Sequence, residues 1–237
     1  MGSSTLTRQR QTPVNSGQAV LSPALPRAVP ESRLLSRGKR LALAIAALLL
    51  GVALVRPLWH IGLIAPQYPE GIGLYIWADQ ITGQKEHDLQ SINGLNHYIG
   101  MKPIVPESIP ELRFMPLALG GLILLGLIAA VVGRRRGLYA WTGLLLLLAV
   151  AGLADFWRWG YDYGHHLDPT AAIKVPGLSY QPPLLGSKQL LNFFATSWPA
   201  SGGWAIVGGL SLAAVLCLLE WRRARRGALP GPGPAGA

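Results

Sequence analysis

Four runs of about twenty apolar residues constrain this chain more than anything else in it. They are Leu41 to Trp59, Met115 to Gly133, Leu138 to Trp157 and Gly203 to Trp221. Each is long enough, at about 1.5 Å per helical residue, to cross a hydrocarbon core of about 30 Å. A soluble core would scatter its apolar residues with periods of 2 or 3.6 instead of stacking them in blocks. The expected class is therefore an all-α integral membrane protein of four transmembrane helices with two partly ordered outer loops.

Charge sets the expected topology. Lys and Arg number 21 against 11 Asp and Glu, a balance that in a soluble protein would point to nucleic acid. Here the cations lie beside the apolar runs, which argues for membrane topology and against a nucleic-acid partner. The N-terminal stretch holds seven Lys/Arg, the turn after the second run three and the end of the fourth run four, fourteen of the 21 in all. The positive-inside rule then puts both termini of a multi-pass chain in the cytoplasm and both loops on the outer side. The expected organisation is a disordered tail (1–32), a first span (33–59), a periplasmic loop (60–114), a second span (115–133) and a cytoplasmic turn (134–137). A third span (138–157), a second periplasmic loop (158–202), a fourth span (203–221) and a basic, Pro/Gly-rich tail (222–237) complete it. Cys217 is the single cysteine, so an intramolecular disulfide and a thiolate metal cluster are excluded.

Both outer loops are too long and too apolar to be plain connections. In the first, Ile72, Leu74, Ile76 and Ala78 alternate, which predicts an extended segment over 71–81. Leu89, Ile92 and Leu95 have helical spacing, which predicts a short amphipathic helix over 88–97, ended by Gly100 and Pro103. Asn93 and Asn96 are suited to satisfying loop backbone groups. The second loop carries aromatics near the membrane, His165–His166, a proline-rich crossing and an expected short helix over 187–196.

All five histidines, His60, His87, His97, His165 and His166, fall in these loops or at their edges, and Met101 joins them. Imidazole and thioether suit copper, and imidazole also suits zinc or haem iron. The candidate metal ligands are His97, Met101, His165, His87 and His60. His97 and Met101 are the most attractive pair, because an i, i+4 spacing shares one helical face, although Gly100 intervenes. Against this, outer loops collect polar residues in any case, the spacings match no defined metal motif, and adjacent histidines such as His165 and His166 usually point apart. Among the carboxylates (Asp79, Glu86, Asp88, Asp155, Asp162, Asp168), Asp155 is the most unusual for its depth, and Arg158 is its expected partner. Glu220 is expected near Arg222 and Arg223, and Cys217 is expected to be a packing residue. Phosphate-binding loops, nucleophile elbows, HExxH and CxxCH are all missing, so no catalytic residue is indicated.

The strings "APQYPEGIGLYIWADQITG", "DLQSINGLNHYIGMKPI" and "YDYGHHLDPTAAIKVPGLSYQPPLLGSKQLLNF" resemble a group of bacterial four-helix membrane proteins. That group is associated with gene neighbourhoods for nitrous oxide reductase and its copper-handling accessory proteins, and the resemblance covers about residues 57–203. It implies an accessory role in maturation of, or copper or electron supply to, a periplasmic copper enzyme in denitrification, with copper as a possible cofactor. It carries over no catalytic residue, and it implies histidine only at the first position of the His165–His166 pair. Two further readings stand beside it. One is a ligand-free assembly or docking subunit of a membrane transporter or respiratory complex. The other is a quinone- or haem-binding protein using the aromatic "DFWRWGYDYGHH" edge.

Overall fold

The computed structural model describes residues 34–227 apart from 174, 176 and 178. The expected tail at 1–32 and the Pro/Gly stretch at 228–237 lie outside the described residues. Four helices are long and apolar enough to cross a membrane: α1 (Arg37–Leu49) with its continuation α2 (Val52–Val55), α4 (Glu111–Val132), α5 (Arg135–His165) and α6 (Ser201–Gly227). They close into a ring in which α1 touches α4 and α6, and α5 touches α4 and α6. Leu43, Leu50, Leu138 and Leu145 are fully buried at its centre. Small residues let the backbones approach. A Cβ on Gly126 of α4 would stand 2.6 Å from Ala47 Cβ and 2.7 Å from Trp141 Nε1. Trp141 resolves its own buried polarity by donating to Leu122 O at 2.8 Å.

The expected all-α class is overturned by a five-stranded antiparallel sheet of order β3-β2-β1-β5-β4. Its strands are β1 (Trp59–Ala65), β2 (Tyr68–Ile76), β3 (Ile81–Gly83), β4 (Gly186–Leu190) and β5 (Phe193–Pro199). Pro57 cannot continue a helix, so the apolar stretch that begins at Leu41 leaves helical geometry after Val55, and Trp59 opens a strand. The segment 187–196, expected as a helix, is instead the β4–β5 hairpin. Leu191 turns its corner with φ 57°, a left-handed conformation uncommon outside glycine. The extended reading of 71–81 holds for β2, and the remainder folds into the turn before β3.

The sheet joins both connections into one body. β1 pairs with β2 on one side and with β5, some 135 residues later in sequence, on the other. Backbone hydrogen bonds close the junction with the helices: Leu58 N to Ile76 O at 2.7 Å, Ala200 N to Leu58 O at 3.0 Å and Gly202 N to Pro57 O at 2.9 Å. One face is covered by α3 (Asp88–Ile99), which lays Leu89, Ile92 and Leu95 against Ile61, Leu63, Ile72 and Leu74. The helix ends as expected. Gly100 takes φ 80° and donates to the helix's last turn, and Met101 N bonds back to Asn96 O at 2.8 Å. Asn93 pairs reciprocally with the backbone of Ile104 at 3.0 and 2.7 Å, and Asn96 donates to Lys102 O at 3.4 Å.

The opposite end of the helix ring is tied by charge. Glu220 of α6 is 0% exposed and contacts Lys39 of α1 and, at 2.5 Å, Arg135 of α5. Its partners are thus distant in sequence and not the neighbouring Arg222 and Arg223. Arg40 lies across Gly133 and donates to Ala130 O at 2.9 Å and to Val131 O, covering the orphan carbonyls at the end of α4. Replacing Glu220 with Ala leaves two partly buried cations uncompensated. The expected loss is about 3–5 kcal/mol, measured by equilibrium unfolding in mixed micelles. A loss below about 1 kcal/mol contradicts the assignment.

Candidate functional site, the open face of the sheet

Strand alternation places His60, Gly62 and Ile64 of β1 on the face away from α3, beside Gly73 and Tyr75 of β2 and Phe194, Thr196 and Trp198 of β5. The register makes cross-strand rows. His60 stands between Tyr75 and Trp198, Gly62 between Gly73 and Thr196, and Ile64 opposite Phe194. Two facing glycines therefore floor the middle of the face. Polar side chains fold down over them: a Cβ on Gly73 would meet Gln84 Oε1 at 2.5 Å and His60 Nε2 at 2.9 Å, and one on Gly62 would meet Thr196 Oγ1 at 2.7 Å. His60 Nε2 and Gln84 Oε1 lie 3.0 Å apart, so the ring's proton on Nε2 fits that contact. The imidazole also packs on Tyr75 with ring centroids 4.8 Å apart.

Around this polar centre exposed apolar side chains stand beside the charged Glu70 and Lys85. Ile64 is 48% exposed, Phe194 43%, Trp198 48% and Leu191 44%. A shallow groove of about 210 Å³ runs past Gly62, Ile64, Gly71, Gln84, Phe194 and Thr196.

The expected metal ligands are distributed differently. His60 is in the polar centre just described. His87 is exposed at the start of α3, and His97 is exposed near its end, edge-on to Tyr98 at 6.1 Å. Met101 lies beyond the left-handed Gly100, so it shares no helical face with His97. His165 ends α5 and stacks on Tyr161 at 4.0 Å, with Nδ1 3.0 Å from Tyr161 O. His166 Nδ1 is 2.7 Å from Asp162 Oδ1. Among the described residues no three His, Cys, Asp or Glu side chains lie together as a metal would need. The segments that carry His97 and His165 do meet: Asp168 N donates to Gly100 O at 2.8 Å, Ile173 N to Tyr98 O at 2.9 Å, and Lys102 pairs with Asp162 at 2.8 Å.

The carboxylates have structural partners. Asp88 is buried and accepts from Gly73 N at 3.0 Å and Lys85 N at 3.1 Å, which fixes α3 to the sheet. Asp155 pairs with Arg158 at 2.8 Å, as expected. Asp168 accepts from the backbone and hydroxyl of Thr170 at 2.7 and 2.6 Å. Asp79 and Glu86 are exposed. Half-buried Cys217 donates to Thr142 Oγ1 at 3.4 Å inside the helix ring, as a packing residue would. Trp157 stacks on Tyr161 with centroids 5.5 Å apart, extending the His165 ring contact down α5.

Gln84, Thr196, Gly62 and Gly73 were not candidates in the sequence. Their signal was alternation: Gly71 and Gly73 recur every second residue, and so do Phe194, Thr196 and Trp198. No family model matches the chain, and no curated protein matches it either.

The two nearest atoms over Gly73 are side-chain ends, with the backbone carbonyl of Ile61 next at 3.1 Å, so Gly73→Ala is expected to displace Gln84 and the His60 ring and to press on strand β1. The expected result is a shifted His60 imidazole resonance with a stability loss of about 1–3 kcal/mol. An unmoved resonance contradicts the packing.

Proposed function

We propose that this chain is a membrane-anchored docking or assembly subunit whose sheet-bearing head receives a partner protein outside the bilayer. The observation that carries the reading is the open face. A groove lined by Gln84 and Thr196, with Glu70 and Lys85 at its rim, runs beside exposed Ile64 and Phe194, and the His60–Tyr75–Trp198 row continues the same face, on a sheet whose strands β1 and β5 adjoin membrane-length helices. Aromatic and aliphatic anchors around a few hydrogen-bonding groups are the composition of a protein interface. Along β1, Ile64 stands about 17 Å from Trp59 at about 3.3 Å per residue, which favours a protein over lipid as the occupant. In this reading the arginine end is cytoplasmic and the head periplasmic, in keeping with the charge bias.

The partner implied by the resemblance is a periplasmic copper enzyme such as nitrous oxide reductase, or one of its copper-handling proteins. The chain's role is then maturation of that enzyme or its copper or electron supply. With His97, Met101, His165, His87 and His60 spread over the head, a copper site in this reading draws ligands from both proteins.

Photocrosslinking groups at Ile64, Phe194 and Trp198 in native membranes are expected to give one discrete heterologous adduct, with none from Gln90 on the outer side of α3. Equal adducts from both sides, or none from the face, overturn the docking reading. Adducts only with a second copy of the chain make it a self-association surface and overturn the partner assignment. Copper titration of the detergent-purified protein is expected to show no stoichiometric site that His97→Ala or Met101→Ala abolishes. Stoichiometric binding lost in either variant shifts the reading to a copper carrier.

A further inference from the structure

We infer that the arginine end of the helix ring binds the headgroups of anionic phospholipids. The cations at this end form two tiers. The inner tier is Lys39 and Arg135, both on buried Glu220, with Arg40 on the carbonyls of α4. The outer tier is Arg37, Arg134, Arg136 and the four arginines of 222–226, all exposed. Glu220 is the only carboxylate of this end among the described residues, and the inner tier occupies it. Among the described residues no carboxylate is therefore left to neutralise the outer tier.

Depth identifies the ligand. From Ser201 to Glu220, α6 has twenty residues, about 30 Å of helix, which matches the hydrocarbon core. Arg222 and the residues after it thus emerge at headgroup level. Trp221 lies at the same level, 46% exposed, with the Arg225 guanidinium 4.0 Å from its ring centroid. Tyr139 is 40% exposed on the neighbouring helix. An aromatic belt interleaved with guanidinium groups suits the headgroup zone. Only the Gly133–Arg134 turn joins α4 to α5 here, so the described residues offer no broad surface to a macromolecule. Guanidinium groups donate to phosphate oxygens in a bidentate manner. Surface cations gain most where the lipid carries net negative charge. This inference is independent of the docking reading.

The test is thermal stabilisation of the detergent-purified full chain by added phosphatidylglycerol, with phosphatidylcholine as the neutral probe and inorganic phosphate as competitor. Phosphatidylglycerol is expected to stabilise at lower concentration than phosphatidylcholine. Replacing Arg134, Arg136, Arg222, Arg223, Arg225 and Arg226 with Gln is expected to cut its apparent affinity by at least about tenfold, without changing the phosphatidylcholine response. In the unmodified protein the preference is expected to fall as salt rises from about 0.1 to about 0.5 M, a readout that does not depend on the variant folding. Equal responses to the two lipids, an unaffected variant or a salt-insensitive preference each overturn the inference. Displacement by inorganic phosphate at equal potency also overturns it, in favour of a free-anion site.

Discussion

The six residue pairs between β1 and β5 are the constraint on which the rest depends. They join a strand that follows the first membrane-length helix to a strand that precedes the last. Without them the two connections are separate excursions, and the β4–β5 hairpin alone is at best marginally stable in water. With them, β2 and β3, covered by α3, are continued through β1 into β5 and β4 as one sheet. Trp59 reinforces the joint by donating to Ser197 Oγ at 2.7 Å, and Ser197, fully buried, donates onward to Leu184 O at 3.1 Å. Closing so long a loop is entropically costly and slow. The contact of α1 with α6 in the helix ring brings the ends of the two strands together.

The two ends of the helix ring solve different problems. At the sheet end, backbone groups leaving α2 and α6 find partners in the sheet, so the chain emerges from helical geometry with few orphan donors. At the arginine end, helix termini are satisfied by side chains. Arg40 serves the carbonyls of α4, and Glu220 draws α1, α5 and α6 together through Lys39 and Arg135. A fully buried carboxylate flanked by two cations adds little net stability over a well-packed apolar trio, yet losing one member is costly. What such a cluster specifies is which helix stands beside which.

What was legible in the sequence was whatever is encoded locally. The four apolar runs, the extended reading of β2, α3 with its stop at Gly100 and the loop-bracing role of Asn93 all rest on neighbours within a few residues. The sheet as a whole was not legible, for two physical reasons. Trp59 to Ala65 is apolar and continues the first run, so β1 is indistinguishable by hydropathy from the end of a span. Leu190, Leu191, Phe193 and Phe194 are adjacent apolar pairs, which satisfy a helical face as readily as a hairpin. The open face was hidden for a further reason. Gly62 and Gly73 meet only through register, which is a property of pairing and not of either segment. Likewise Lys39 lies 181 residues before Glu220, beyond any local pattern.

At two of its junctions, α2 to β1 and β5 to α6, the head joins the helices with almost no intervening chain. Three residues lie between α2 and β1, all within the hydrogen-bonded junction, and only Ala200 lies between β5 and α6. The face consequently cannot swivel on its anchor. A molecule that meets it encounters a surface whose bearing is already fixed by the helices, so little rotational freedom of the head is left to surrender on association. The same stiffness works in reverse: a push on the face becomes a tilt of α2 and α6, with the sheet acting as a lever on the bundle.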